Sequence, residues 1–132
     1  MASREASCSC GQLRLIAEGE SVRVSVCHCL ACQRRSGSAF AAQARFPPGR
    51  VEITGQSSTY TRVSDDGEAR TFSFCPQCGA TVFYVCGPEP DTVAVPLGAF
   101  ADPAFPAPTR SVWESRMHPW ATVPTATEHD SR

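Results

Sequence analysis

Long apolar runs are absent from this 132-residue chain. No stretch approaches the roughly 18 residues that a membrane-spanning helix needs, which removes helical membrane proteins from the candidate classes. An excess of either charge is absent too. The 12 basic and 13 acidic side chains leave a net of -1, so nothing pulls the protein toward DNA, RNA or an anionic lipid surface, and neither nucleic acid nor membrane is expected as a partner. The opening residues Met1-Ala-Ser-Arg-Glu-Ala-Ser7 run into Cys8 without the apolar centre of a signal peptide, and the expectation is a cytoplasmic protein. Sustained helical periodicity, internal repeats and low-complexity linkers are also missing, which argues against a helical bundle, a solenoid or a multidomain array. One domain over residues 1–124 is expected, followed by a tail over 125–132 that begins to fray from Pro124.

What is present is short-range alternation. Leu13 and Leu15, then Val22, Val24 and Val26, then Phe40, Ala42, Ala44 and Phe46 repeat with the period of a half-buried strand. The pattern continues at Val51–Ile53, Tyr60–Val63, Arg70–Phe74, Ala80–Val85 and Thr92–Val95. Pro-Pro-Gly, Asp-Asp-Gly and Gly-Pro-Glu-Pro turns separate these segments. The expectation is a mainly β, compact antiparallel fold with little helix, and with a last strand near Ser111–Glu114 after a proline-dense stretch from Gly98.

Eight cysteines stand out against this background. In a reducing compartment they read as metal ligands or catalytic thiols before they read as disulfides. They fall as Cys8-x-Cys10, Cys27-x-Cys29-x-x-Cys32 and Cys75-x-x-Cys78, with Cys86 alone. Two pairs from separate turns supply the four ligands of a tetrahedral structural zinc, so Cys8, Cys10, Cys75 and Cys78 are the candidate set. Cys75-Pro-Gln-Cys78-Gly79 is the stronger half, because a glycine after the turn lets backbone N–H groups face sulfur. Buried free thiols or disulfides are the alternative for these four.

The triplet Cys27, Cys29 and Cys32 has a different meaning, because three thiolates on zinc leave a coordination position open to water or a substrate thiolate. Two alternatives stand beside that one: a second structural site completed by Cys86 or His118, and a redox pair formed when metal is lost. His28, between two of the cysteines, is placed as a support behind the ligands or as a surface residue.

The run Cys27-His-Cys-Leu-Ala-Cys-Gln-Arg-Arg-Ser-Gly-Ser-Ala-Phe40 resembles the central signature of the glutathione-dependent formaldehyde-activating enzyme family, also called the centromere protein V family. Val51-Glu-Ile-Thr-Gly55 with Tyr60 looks like that family's next strand and turn, and Phe74-Cys-Pro-Gln-Cys-Gly79 like its second zinc half-site. The resemblance covers about Ser7 to Trp120. It implies two zinc ions per chain, one structural at Cys8, Cys10, Cys75 and Cys78, and one at Cys27, Cys29 and Cys32 beside which glutathione binds.

The activity it implies is zinc-dependent carbon–sulfur bond making or breaking on a thiol–aldehyde adduct of the S-hydroxymethylglutathione kind, with Cys27, Cys29 and Cys32 as the catalytic set. Arg34, Ser36, Gly37 and His118 are the candidate substrate contacts. Arg34 and Arg35 suit the carboxylates of a peptide thiol, though two solvated surface arginines are an equal reading for Arg35. His118 is either a general acid or base, or a residue packed beside Trp120. The competing function is a non-enzymatic zinc module for protein interaction or redox sensing.

Overall fold

A computed structural model describes residues 2–88 and 90–132. Eleven strands form two sheets among these residues. The smaller sheet orders β1 (Ser3–Ser7), β2 (Arg14–Glu18) and β5 (Val51–Thr54) as β1-β2-β5. The larger sheet contains β3 (Arg23–Cys27), β4 (Ala41–Phe46), β6 (Ser58–Val63), β7 (Ala69–Phe74), β8 (Thr81–Cys86) and β9 (Val93–Pro96). It is extended by β10 (Arg110–Val112) and β11 (Glu128–His129), in the order β11-β10-β3-β4-β9-β8-β7-β6.

Period-two alternation decides where the core lies. Leu15 and Ala17 of β2, with Ala6 paired opposite Leu15, face Val24, Ala44, Phe46, Val93 and Val95 of the large sheet in one apolar cluster. Leu15, Ala17, Ala44, Phe46 and Val95 are fully enclosed there. Each buried Leu, Val or Phe among them contributes about 1.5–3 kcal/mol, and each Ala less. The alternate positions of β3 and β4 point away from this core: Arg23, Ser25 and Cys27 beside Gln43 and Arg45. Ser25 and Cys27 are nevertheless buried, so the second face of these strands is also covered.

The mainly β reading holds, and the helical content is small: one helix, α1 (Leu30–Ser36), and three short 3-10 turns. Four details differ from the expectation. The large sheet is mixed, because β10 runs parallel to both β3 and β11. The proline-dense segment carries the chain back past β3 before β10 pairs with it, and this long connection permits the parallel arrangement. Residues 125–132 do not fray, since β11 pairs with β10, and Glu114 N–H donates to Asp130 O at 3.0 Å. Val22 is 57% exposed and lies before β3, and Phe40 precedes β4, so neither extends its strand's alternation.

Candidate metal centres and the cavity beside one of them

Two facing turns bring the first cysteine set together. In the first, Gly11 N–H donates to Cys8 O and Leu13 N–H to Cys8 Sγ at 3.3 Å. In the second, Gly79 N–H donates to Cys75 O, and Gln77 N–H to Cys75 Sγ at 3.4 Å. Gly11 and Gly79 sit at φ +83° and +80°, a region that glycine enters without a Cβ penalty. The sulfurs of Cys8, Cys10, Cys75 and Cys78 all lie within 4.8 Å of one another, with Cys8–Cys10 at 3.6 Å and Cys10–Cys75 at 3.7 Å. Four sulfurs around a metal at about 2.3 Å stand about 3.8 Å apart, so this cluster fits a tetrahedral thiolate site.

Gln12 supports the cluster, a role the sequence did not reveal. Its Nε2 donates to Cys75 Sγ at 3.0 Å and to Gln56 O at 2.7 Å, while its Oε1 accepts from Gln56 N–H. Burial pushes the Cys75 thiol up. The Gln12 amide and the backbone N–H groups of Cys78 and Gln77 outweigh it and bring the thiol down to about 6.

Cys27, Cys29 and Cys32 form the second cluster, their sulfurs also within 4.8 Å of one another. Cys27 ends β3. Cys29 is the N-cap of α1, its sulfur accepting from Cys32 N–H at 3.3 Å. Hydrogen bonds from the Cys27 and Cys32 thiols, aided by that N–H group and the charge of Arg62, bring Cys29 down to about 2 against the effect of burial. The same coupling raises Cys27 and Cys32, and three sulfurs gathered this closely suit a soft divalent metal. Neither Cys86 nor His118 joins these three. Cys86 packs against Phe72, Tyr84 and Ala94 at the end of β8.

The second cluster opens onto a cavity of about 560 Å³, and the first does not line it. The face of the large sheet turned away from the apolar cluster is its floor, and the register lays that floor out in rows. Val112, Cys27 and Ala41 form the row at the cysteine end, and Arg110, Ser25 and Gln43 form the next. The third row runs Arg23, Arg45, Ala94, Tyr84 and Phe72 across five strands. Trp113, held at φ +57° after β10, packs beside Cys27 and Cys32 and forms one wall. Eight arginines line the cavity, against the carboxylates of Asp65 and Asp66.

Of the expected substrate contacts, Arg34 lines this cavity and the others do not. Ser36 and Gly37 end the helix: Ser36 Oγ donates to Phe40 O, and Gly37, at φ +67°, donates its N–H to Gln33 O. His118 is exposed, with its Nε2 3.0 Å from Gln33 Oε1 and its ring set edge-on to Trp120. Arg35 is not a solvated surface residue, because its guanidinium lies 5.1 Å from the Phe72 ring and 5.2 Å from the Tyr84 ring. His28 is not at the surface either. It is fully buried, its ring Nε2 is 3.0 Å from Ser111 Oγ, its backbone N–H donates to Val112 O, and burial holds it below the ordinary imidazole value. It ties the cysteine loop to β10 as a neutral ring.

Fold and site together define a thiol-rich, mainly β protein in which one cysteine cluster ties loops together and the other opens to solvent. The chain belongs to the glutathione-dependent formaldehyde-activating enzyme family, whose sequence profile matches residues 3–116. A crystal structure of a Rhodobacter sphaeroides protein is similar in fold, with a TM-score of 0.56 at 18% identity over 72% of this chain and 85% of that one. No curated protein matches the sequence. No helix among the described residues is long and apolar enough to cross a membrane.

Proposed function

We propose that the protein is a zinc-dependent carbon–sulfur lyase or synthase acting on a thiol–aldehyde adduct, with glutathione and formaldehyde the pair that its family name indicates. One zinc sits at Cys8, Cys10, Cys75 and Cys78 and holds the fold, and a second sits at Cys27, Cys29 and Cys32. The observation that carries this reading is the asymmetry between the clusters: the three-cysteine set borders a cavity large enough for a tripeptide thiol, and the four-cysteine set does not. Zinc bound at three thiolates supplies Lewis acidity, lowering the pKa of a substrate thiol and polarising an aldehyde oxygen.

The remaining work belongs to the chain. Arg34 and the arginines of the floor meet carboxylates, and Trp113 and Val112 shield one side of the thiolates from water. In the synthetic direction a C–S bond forms to the carbonyl carbon, the C=O π pair becomes a hydroxyl group, and the thiol proton ends on that oxygen. The lyase direction is the reverse. No histidine lines the cavity among the described residues, and Asp66 is held down at about 2 by Ser64, the Glu68 N–H and Arg70.

The test is the rate of S-hydroxymethylglutathione formation and breakdown, followed by exchange NMR with zinc-loaded protein. Acceleration over the uncatalysed rate that disappears in Cys29→Ser supports the reading. A rate equal to that in buffer sinks it and favours a zinc module without catalysis.

A further inference from the structure

Three arginines converge at the end of the cavity remote from the cysteines. Arg23 and Arg45 are direct cross-strand partners on β3 and β4, and Arg110 lies opposite Ser25 on the same face, one row nearer the cysteines. Like charges placed directly opposite each other destabilise a sheet. Burial, with the charges of Arg45 and Arg110 added, pulls Arg23 below the ordinary arginine value. Compensation from the chain is thin. Glu128 is the register partner of Arg110 and acts on Arg23 from a distance, while Asp66 and Glu68 are engaged by Arg70. Among the described residues, no carboxylate lies within 4.0 Å of Arg23, Arg45 or Arg110.

Two buried polar atoms in the same place lack partners. Gln43, 2% exposed, donates Nε2 to Ser25 Oγ at 2.8 Å and leaves Oε1 unpaired, and Arg45 Nε is buried without an acceptor. Unpaired buried polar groups are costly: Arg45 Nε calls for a ligand that supplies an acceptor, and Gln43 Oε1 for one that also brings a hydroxyl or N–H donor. Every one of the chain's twelve basic residues is arginine, the side chain whose planar fork matches oxyanions in two-point geometry. A carboxylate offers two oxygens and one charge. A phosphate monoester offers three terminal oxygens and nearly two charges, which matches three guanidinium groups.

The geometry points to a phosphate-class oxyanion site formed by Arg23, Arg45 and Arg110 at the far end of the cavity. A thiol that carries a phosphate ester would accordingly engage both ends of the cavity and bind more tightly than an unphosphorylated thiol held at Cys27, Cys29 and Cys32. Arg23 lies four residues before Cys27 along β3, about 13 Å at the strand rise, and that sets the reach between the ligand's sulfur and its phosphate. The sulfur end of this assignment rests on the reading under Proposed function; the oxyanion end does not.

The experiment titrates the zinc-loaded full chain by calorimetry with inorganic phosphate, then with 4′-phosphopantetheine and pantetheine, which differ only by the phosphate. Saturable phosphate binding is expected, weakened at least about tenfold by Arg23→Gln and by Arg45→Gln. It should be unchanged by Arg14→Gln, whose side chain pairs with Glu5 on the other sheet. Both pocket variants should keep the wild-type zinc content and unfold no earlier than the wild type, and the phosphorylated thiol should bind at least about tenfold more tightly than its partner in wild type alone.

No saturable binding, equal weakening in Arg14→Gln, or equal affinity for the two thiols overturns the assignment. Phosphate binding should also persist in Cys29→Ser. If phosphate binds at the arginines while no thiol perturbs the metal, the oxyanion site stands and the thiol–aldehyde reading falls.

Discussion

The sulfurs of Cys10 and Cys75 lie 3.7 Å apart although 65 residues separate them in the chain. The contact joins the turn before β2 to the turn after β7, so the four-cysteine cluster closes a long loop across the two sheets. Structural zinc contributes on the order of 10 kcal/mol in small domains, comparable to the whole stability of such a domain. Cys78→Ser is therefore expected to lose the fold as well as the metal, seen as collapse of near-ultraviolet circular dichroism and loss of the cooperative thermal transition.

Gly55 tests the support behind that cluster. It sits at φ +97°, and a Cβ built there would lie 2.1 Å from the Gln12 carbonyl oxygen. Backbone must move to admit it, which displaces the residue whose amide donates to Cys75. Gly55→Ala should cost about 3 kcal/mol in urea unfolding and weaken zinc retention against a chelator. Gly49→Ala, where nothing lies within 4 Å of the added carbon, is the control and should change neither.

Ser111→Ala removes the partner of a fully buried histidine. His28 Nε2 would be left without its hydrogen bond in a site closed to water, at a cost of about 1–3 kcal/mol. Equilibrium denaturation measures it, and a variant as stable as the wild type would contradict the role assigned to His28.

Docking of the C-terminal strand should depend on pH in both directions. His129 Nδ1 lies 2.7 Å from Glu114 Oε2, and this contact holds His129 above its ordinary 6.5 and Glu114 below its ordinary 4.5. The histidine's contribution is complete below 6.5 and is lost as pH rises through its raised folded value. The glutamate's contribution is present above 4.5 and is lost as pH falls through its lowered folded value. Protection of the Glu114, Ser115 and Asp130 amides, corrected for intrinsic exchange, should therefore be greatest between about pH 4.5 and 6.5. His129→Gln should flatten the profile.

Much of this structure was readable from sequence because two signals are local. Alternation at Leu13–Leu15, Val24–Val26 and Ala42–Phe46 marked the inward faces of the strands, and the x-x spacing of Cys75 and Cys78 marked a turn that gathers sulfur. What stayed hidden depends on pairing at long range. The parallel return of β10 beside β3, and the docking of β11, need backbone partners that no local pattern announces. The arginine floor was missed for the same reason. Ser25 and Gln43 read as the solvent side of their strands although both are buried, and Arg23 and Arg45 on the same face line the cavity. The absence of lysine was the available clue. Ser36 and Gly37 stood out because they follow the cysteine triplet in the family signature, and His118 as a candidate acid or base near Trp120, yet the first two terminate a helix and the third faces solvent beside Trp120.

The three-cysteine cluster should tolerate substitution better than the four-cysteine one. Cys29 sits at a helix cap beside the cavity and joins no distant loop. Cys29→Ser is expected to lower the zinc content by one per chain, shift the thermal midpoint by a few degrees at most, and remove turnover. Unfolding of this variant would show that the cluster is structural.

The most direct measurement is zinc stoichiometry under strictly reducing conditions, with the metal's absorption-edge spectrum recorded before and after adding glutathione or its S-methylated analogue. Two zincs per chain are expected, with the environment of one altered by the free thiol and by neither buffer nor the blocked analogue. One zinc, or two that ignore the free thiol, would contradict an open thiol-binding centre at Cys27, Cys29 and Cys32.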